Sequence, residues 1–411
     1  MGKEEMEVKI LGIDVTDTDT SVMCSDSEEA FHFPAAICRD KSKDLWYIGE
    51  EAFEKALSGK GILTDRLLKM TRRGGTATIR GVRHEGEDLL CRYLSVLKER
   101  CLSGGEADAA VIVLPDYRKA EEDRLLERLE RLGFPAGKTY LISREESFLY
   151  YVMSQPKTVR QAEVGLFDLA DQSLVFYELK TAREKKRLYV RSESAAQEEA
   201  FTLSVLNTHS GEMLADKIMT GTAARLLKNK VFSAVFLTGR GFQRYDWADG
   251  FMRTVCARRK VFLDQELFVK GALVRGNSLL SGGGDPGFTA LCSGRSETGV
   301  TVRLKKGGRL LDFPLISPGD PFMSAGMSLR LLPEDRSPLE LTIERVGQRQ
   351  AKTVPVSLQF LPERPGKAGF LNLSASFPDE KTMVLKLTDG GFGEIFPRTD
   401  ASWSEEVPLW D

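Results

Sequence analysis

The stretch GIDVTDTDTSV, residues 12–22, decides how the chain is read. It follows the apolar run Val8-Lys9-Ile10-Leu11 and ends that run on Asp14. A turn of alternating Thr and Asp comes next, and then a second strand. A related pattern returns far downstream as VGLFDLADQSLVFYELK, from Val164, where the strand ends on Asp168. The strand–turn–strand units at 8–24 and 164–179 suggest an internal duplication. A third apolar strand, SAVFLTGRGF, ends on Gly239 before a helix through Trp247–Cys256.

Around these units the pattern is mixed α/β. Leu89, Leu90, Tyr93, Leu94 and Leu97 recur at helical spacing between Glu87 and Cys101. AAVIVLPDY reads as a buried strand, followed by an amphipathic helix that Gly133-Phe134-Pro135 ends. KTYLIS and EESFLYYVMS continue as strand and helix, and VFLDQELFVKGALVRG as a short strand and a helix. Residues 30–38 and Trp46–Ile48 read as strands, charged residues 181–200 as two more, and 201–229 as mostly helical. The character changes at SGGGDPG, from Ser281. Beyond it VTVRL, LELTIERV, VPVSLQFL, FLNLSASF and TMVLKL alternate with turns, as in an all-β module.

Composition narrows the function. The 411 residues are 42% hydrophobic, enough for two or three domains. A net charge of −2 argues against nucleic acid as the main partner. The basic runs Arg183–Arg187 and Arg258–Lys260 read as solvated faces. Six scattered cysteines without a CxxC pair suit a reducing compartment, and three distant histidines do not suggest a metal centre. Neither a signal-type apolar segment nor a run of the ~20 apolar residues that a membrane span needs is present. The expectation is a cytoplasmic protein with no membrane or nucleic-acid partner.

Taken together, the three strand-to-turn elements resemble the two phosphate loops and the adenosine loop of the superfamily of actin, sugar kinases and heat-shock chaperones. Within it, the chain is most similar to the DnaK-type, seventy-kilodalton chaperones. FHFPAAICRDKSKDLWYIGEEAF and the run from AAVIVLPDY to ESFLYYV resemble consecutive elements of that family, and VFLDQELFVKGALVRG its end-of-domain helix. VPVSLQFLPERPGKAGFLNLSASFPDEKTMVLKLTDGGFGE resembles its substrate-binding β-domain, without a helical lid after Trp403. The resemblance implies a two-lobed ATPase fold with ribonuclease-H-like lobes, lobe I over 6–158 and lobe II over 159–280. A linker at 281–297 and a β-domain over 298–411 follow.

The resemblance also implies a site. Asp14 and Asp168 match the aspartates that hold Mg²⁺ through water, with Thr16, Thr18, Ser173, Gly239, Arg240 and Gly241 around the phosphates and base of ATP. Asp14, Asp168 and Glu145 are the catalytic candidates. The departures are specific. Phosphate cradles use glycines so that backbone N–H groups can converge on an anion. Here Thr16 and the triplet Ala170-Asp171-Gln172 replace glycines, while Asp17, Asp19 and Asp171 add negative charge. Phe53 stands where the family has a catalytic lysine, with Lys55 two residues on. The family's catalytic glutamate falls on Ser143, or on Glu145 if the register slips by two. The expectation is a chaperone-like binding protein with a degenerate, non-hydrolysing ATP site. Its β-domain would grip a peptide or protein along Phe313, Leu315, Phe322, Met323, Met327 and Leu329. The alternatives are an active Mg-dependent ATPase with a rearranged site and, for those apolar residues, plain core packing.

Overall fold

The computed structural model describes residues 8–102, 105–115, 119–281, 287–322, 326–364 and 369–410, without the side chains of 119–121. It divides into two compact units, Met1–Phe288 and Thr289–Asp411. Met323 lies outside the described residues.

In the first unit, β1 (Ile10–Val15), β2 (Asp19–Cys24) and β3 (Ala30–Pro34) form an antiparallel meander. A small sheet follows, of β4 (Ala36–Asp40), β5 (Trp46–Ile48) and, after helix α1 (Glu50–Leu57), β6 (Gly61–Asp65). Then come α2 (Leu67–Arg72), the hairpin β7 (Thr76–Ile79) and β8 (Val82–Glu85), and α3 (Gly86–Leu102). The chain continues through β9 (Ala109–Leu114), α4 (Lys119–Arg131), β10 (Thr139–Ser143) and α5 (Arg144–Ser154). Strands β9 and β10 extend the first sheet in parallel, giving the order β10-β9-β1-β2-β3.

That order then recurs. A second meander consists of β11 (Glu163–Ala170), β12 (Ser173–Glu184) and β13 (Arg187–Ala196). After α6 (His209–Leu226) come β14 (Phe232–Thr238), α7 (Asp249–Cys256), β15 (Lys260–Leu263) and α8 (Leu267–Leu280). Strands β14 and β15 add in parallel, so the first unit's strands of the second sheet run β15-β14-β11-β12-β13. The expected pair of strands in 181–200 is in fact the continuation of β12 plus one new strand.

The strands at the centre of the first sheet are buried on both faces, which is why they read as unbroken apolar runs. In β9, Ala110, Ile112 and Leu114 join one core cluster with α3 and α4, while Val111 and Val113 join another with Ala272 of α8. Helices α5 and α8 follow equivalent strands of the two sheets and pack together. A Cβ at Gly271 would lie 2.1 Å from the Ser147 carbonyl oxygen, so only glycine allows this approach. Ser147 Oγ donates to the Phe268 carbonyl at 2.5 Å, and Arg275 Nε to Glu146 Oε1 at 2.8 Å, fixing α5 on α8.

In the second unit a short strand, β16 (Thr289–Leu291), precedes β17 (Thr298–Lys306), β18 (Arg309–Ile316), β19 (Met327–Leu331) and β20 (Leu339–Arg345). They are followed by β21 (Lys352–Val356), β22 (Phe370–Ser376), β23 (Thr382–Gly391) and β24 (Ser402–Pro408). Two antiparallel sheets, β18-β17-β20-β21 and β19-β22-β23-β24, share one core around Val300, Leu341, Leu371 and Leu385. This is a β-sandwich. Among the described residues no helix is long and apolar enough to cross a membrane, and no cysteine forms a disulfide.

Candidate functional site

Asp14 and Asp168 occupy equivalent places in the repeated sheets. Asp14 lies opposite Ser21 of β2 and Val113 of β9, and Asp168 opposite Val175 of β12 and Thr238 of β14. Two distant parts of the chain thus deliver one carboxylate each from matching central strands. They meet at a residue that the sequence reading did not single out, Arg144, the first residue of α5.

The Arg144 guanidinium binds both. Its Nε donates to Asp14 Oδ1 at 3.0 Å and its Nη2 to Asp14 Oδ2 at 2.7 Å, while Nη1 donates to Asp168 Oδ2 at 2.6 Å. The three side chains are 12%, 9% and 7% exposed. The guanidinium also stacks 4.3 Å from the ring centre of Phe268. Burial works against the Arg144 charge, but the two carboxylates outweigh it and raise its affinity for the proton. Burial pushes the Asp168 carboxyl up, against the pull of Arg144 and with the repulsion of Asp14. Both follow from a buried group of two acids and one base.

Local structure explains how Arg144 is aimed. Ser143 ends β10 and caps α5, its Oγ accepting from the Glu146 amide at 3.0 Å. The cap fixes the first turn of the helix, and Arg144 leaves it beside the ends of β1 and β11. The Ser-x-x-Glu spacing of SREE, directly after the apolar strand TYLIS, was the available signal.

The turns beside the two aspartates spend their donors internally. Thr16 N donates to the Asp19 carbonyl, and Thr16 Oγ1 accepts from the amides of Thr18 and Asp19 at 3.2 and 2.9 Å. Asp17 Oδ1 accepts from the Lys69 amide at 2.7 Å, tying the turn to α2. In the second turn Gln172 N donates to the Phe201 carbonyl, and Asp171 Oδ1 accepts from Leu203 N at 2.7 Å. Ser173 is exposed and paired with Ala170 across the hairpin. Asp17 and Asp171 therefore tether loops, and among the described residues no cluster of acids, cysteines or histidines could hold a metal.

Gly239 has φ 92°, and a Cβ there would lie 2.5 Å from the Leu169 carbonyl and 2.7 Å from Asp168 Oδ1. A Cβ at Gly241 would lie 2.4 Å from the Leu169 side chain. Close packing against the end of β11 accounts for both glycines. Arg240 is exposed, with Nη1 3.7 Å from Asp19 Oδ2 of the first turn. Glu145 Oε1 accepts from Ser194 Oγ of β13 at 2.6 Å. Lys55 lies over the Tyr47 ring, its Nζ 4.6 Å from the centre.

Of the two readings open for the apolar residues of the second unit, their placement favours core packing. Leu315 is buried in the sandwich core, and Phe313, Phe322, Met327 and Leu329 pack against it, so they form its wall. Their alternation reflects core packing between sheets. A cavity of about 430 Å³ in this unit is lined by other residues, including Arg336, Arg364 and Phe370.

A model of a family of unknown function, DUF5716, C-terminal, matches residues 18–293. The chain belongs to that family. Residues 295–409 match a second model, a domain of unknown function, DUF8552. In this DUF5716 protein the two matches divide close to the boundary between the compact units. No curated protein matches the chain.

Proposed function

We propose that the first unit is a two-lobed fold of the actin and heat-shock-chaperone type, in which an arginine has taken the place of the nucleotide's metal. The chain is then a non-hydrolysing, chaperone-related binding protein. Its first unit acts as a constitutively closed scaffold, and its β-sandwich serves as the module for a peptide or protein partner. The observation that carries this reading is the Arg144 guanidinium bonded to both Asp14 and Asp168. The duplicated sheet order supports the fold assignment.

In such folds paired carboxylates organise a hydrated Mg²⁺ around phosphate. The residues present do not fit that ion. A guanidinium already supplies the positive charge and fills the donor positions between the acids. The amides at Thr16, Thr18, Asp19 and Gln172 are engaged within the protein, so the anion cradle is closed as well. No catalytic step through Mg²⁺ or ATP is therefore assigned.

The test is calorimetry with Mg·ATP and with Mn²⁺ on wild type and Arg144→Ser. The wild type should give no heat with either. Arg144→Ser should bind Mn²⁺, and the further change Asp168→Asn should abolish that binding. Phosphate release from ATP by the wild type, lost in Asp168→Ala, would refute the proposal in favour of an active ATPase.

A further inference from the structure

Among the described residues, three two-residue hairpin turns have both central residues at positive φ. They are Arg80-Gly81 between β7 and β8 (54° and 81°), Lys185-Lys186 between β12 and β13 (45° and 74°), and Gly307-Gly308 between β17 and β18 (59° and 82°). Such turns match the twist of a hairpin, and positive φ favours Gly, Asn or Asp. Two of the turns follow this preference with at least one glycine. The third sets two side chains with Cβ atoms where the backbone disfavours them. The Gly307-Gly308 turn, closing the same kind of hairpin, has the unstrained residues. The geometry of the turn therefore gives no reason for the two lysines.

Their position does. β12 pairs with β11 only as far as Leu179 opposite Val164, so Lys180–Glu184 and the paired Arg187–Arg191 continue past that strand as a ribbon. Thr181–Arg183 and Lys185–Arg187 are exposed. Arg183, Lys185, Lys186 and Arg187 place four basic residues within the five positions of the tip. The whole chain carries −2, so this basic run stands against the overall balance of the chain. An exposed run of basic side chains favours an electrostatic contact.

We infer that the tip of the β12–β13 ribbon is a docking point for an acidic segment of a partner protein. A small finger on a net-negative chain suits a short acidic segment better than a nucleic acid, whose binding sums phosphate contacts over a broad basic surface. The inference does not depend on how Arg144 is read.

The test uses the full chain, a fluorescent Glu-rich peptide as probe, and the variant Lys185→Asn/Lys186→Gly, which installs residues that the turn prefers. The wild type should bind the peptide, more weakly as salt rises and charges are screened beyond about 8 Å. The variant should bind about tenfold more weakly, as expected for two lost surface charges. Its melting temperature should be unchanged or raised. Arg183→Gln/Arg187→Gln, which leaves the turn alone, should weaken binding similarly. The inference is overturned if the wild type does not bind, if both variants bind as wild type, or if duplex DNA is preferred to the peptide. A lower melting temperature in the Asn-Gly variant would overturn it too, because the lysines would then be serving the turn.

Discussion

Arg144 and Arg364 both grip buried aspartate, yet their surroundings are opposite. In the β-sandwich, Asp389 is 1% exposed and receives Arg364 in a two-pronged pair at 2.6 and 2.7 Å. It also accepts from Gly391 N at 3.1 Å, Thr399 N at 2.9 Å and Thr399 Oγ1 at 2.8 Å. Burial alone would raise its carboxyl, but the Arg364 and Thr399 bonds and the Gly391 amide hold it far below the usual carboxylate range. In the first unit, the donors to Asp14 and Asp168 among the described residues all belong to Arg144. There burial prevails, and the Asp168 carboxyl is raised. One carboxylate is solvated by its own turn and works as a latch. The other two depend on a single cation that reaches in from a different element.

The sharpest way to break this contrast is to remove each arginine. Arg144→Ala should cost about 3–5 kcal/mol, because two like charges are left facing each other in a buried site. Urea denaturation measures it, and added Mn²⁺ should recover part of the loss in proportion to its binding. Arg364→Ala should cost less, about 1.5–3 kcal/mol, because the amides of Gly391 and Thr399 still hold Asp389. Equal losses would erase the distinction between site and latch.

Acid provides a second comparison. The folded-state pKa of Asp389 lies below its unfolded value, so its stabilisation is present above about pH 4 and is lost as pH falls towards the folded value. Asp168 has the opposite sign. Its folded-state pKa is raised, so its contribution is present below about pH 4 and is lost as pH rises through the folded value. Denaturation followed from pH 7 to pH 3 should lose an acid-dependent component in Asp389→Asn and keep it in Asp168→Asn. The smallest effects should come from Asp14→Asn, which leaves one acid for one base, and from the exposed pair in Arg240→Ala. Each should change stability by about 1 kcal/mol or less in the same assay.

Much of the framework was legible. ILGIDV and EVGLFDLA announce buried strands with an aspartate near the end, and their return in second strands betrayed the duplication that the sheet order bears out. Alternation marked most of the sandwich. The hairpin at 76–85 escaped because its strands are short and largely exposed, and β24 because SWSEEVP carries four charged or hydroxyl side chains and one buried residue.

The sequence by itself determined the central strands of both sheets, that two of them present an aspartate at matching places, and that the turns after those strands carry no glycine. These follow from local chemistry: hydrophobic period, turn preference and the absence of a Cβ. Only the tertiary structure decided what faces those aspartates. Arg144 lies 130 residues from Asp14 and 24 from Asp168, and becomes their common partner through the cap at Ser143 and the packing of α5 on α8. Local sequence carries no record of that meeting, because charges attract through space and the fold sets the distance.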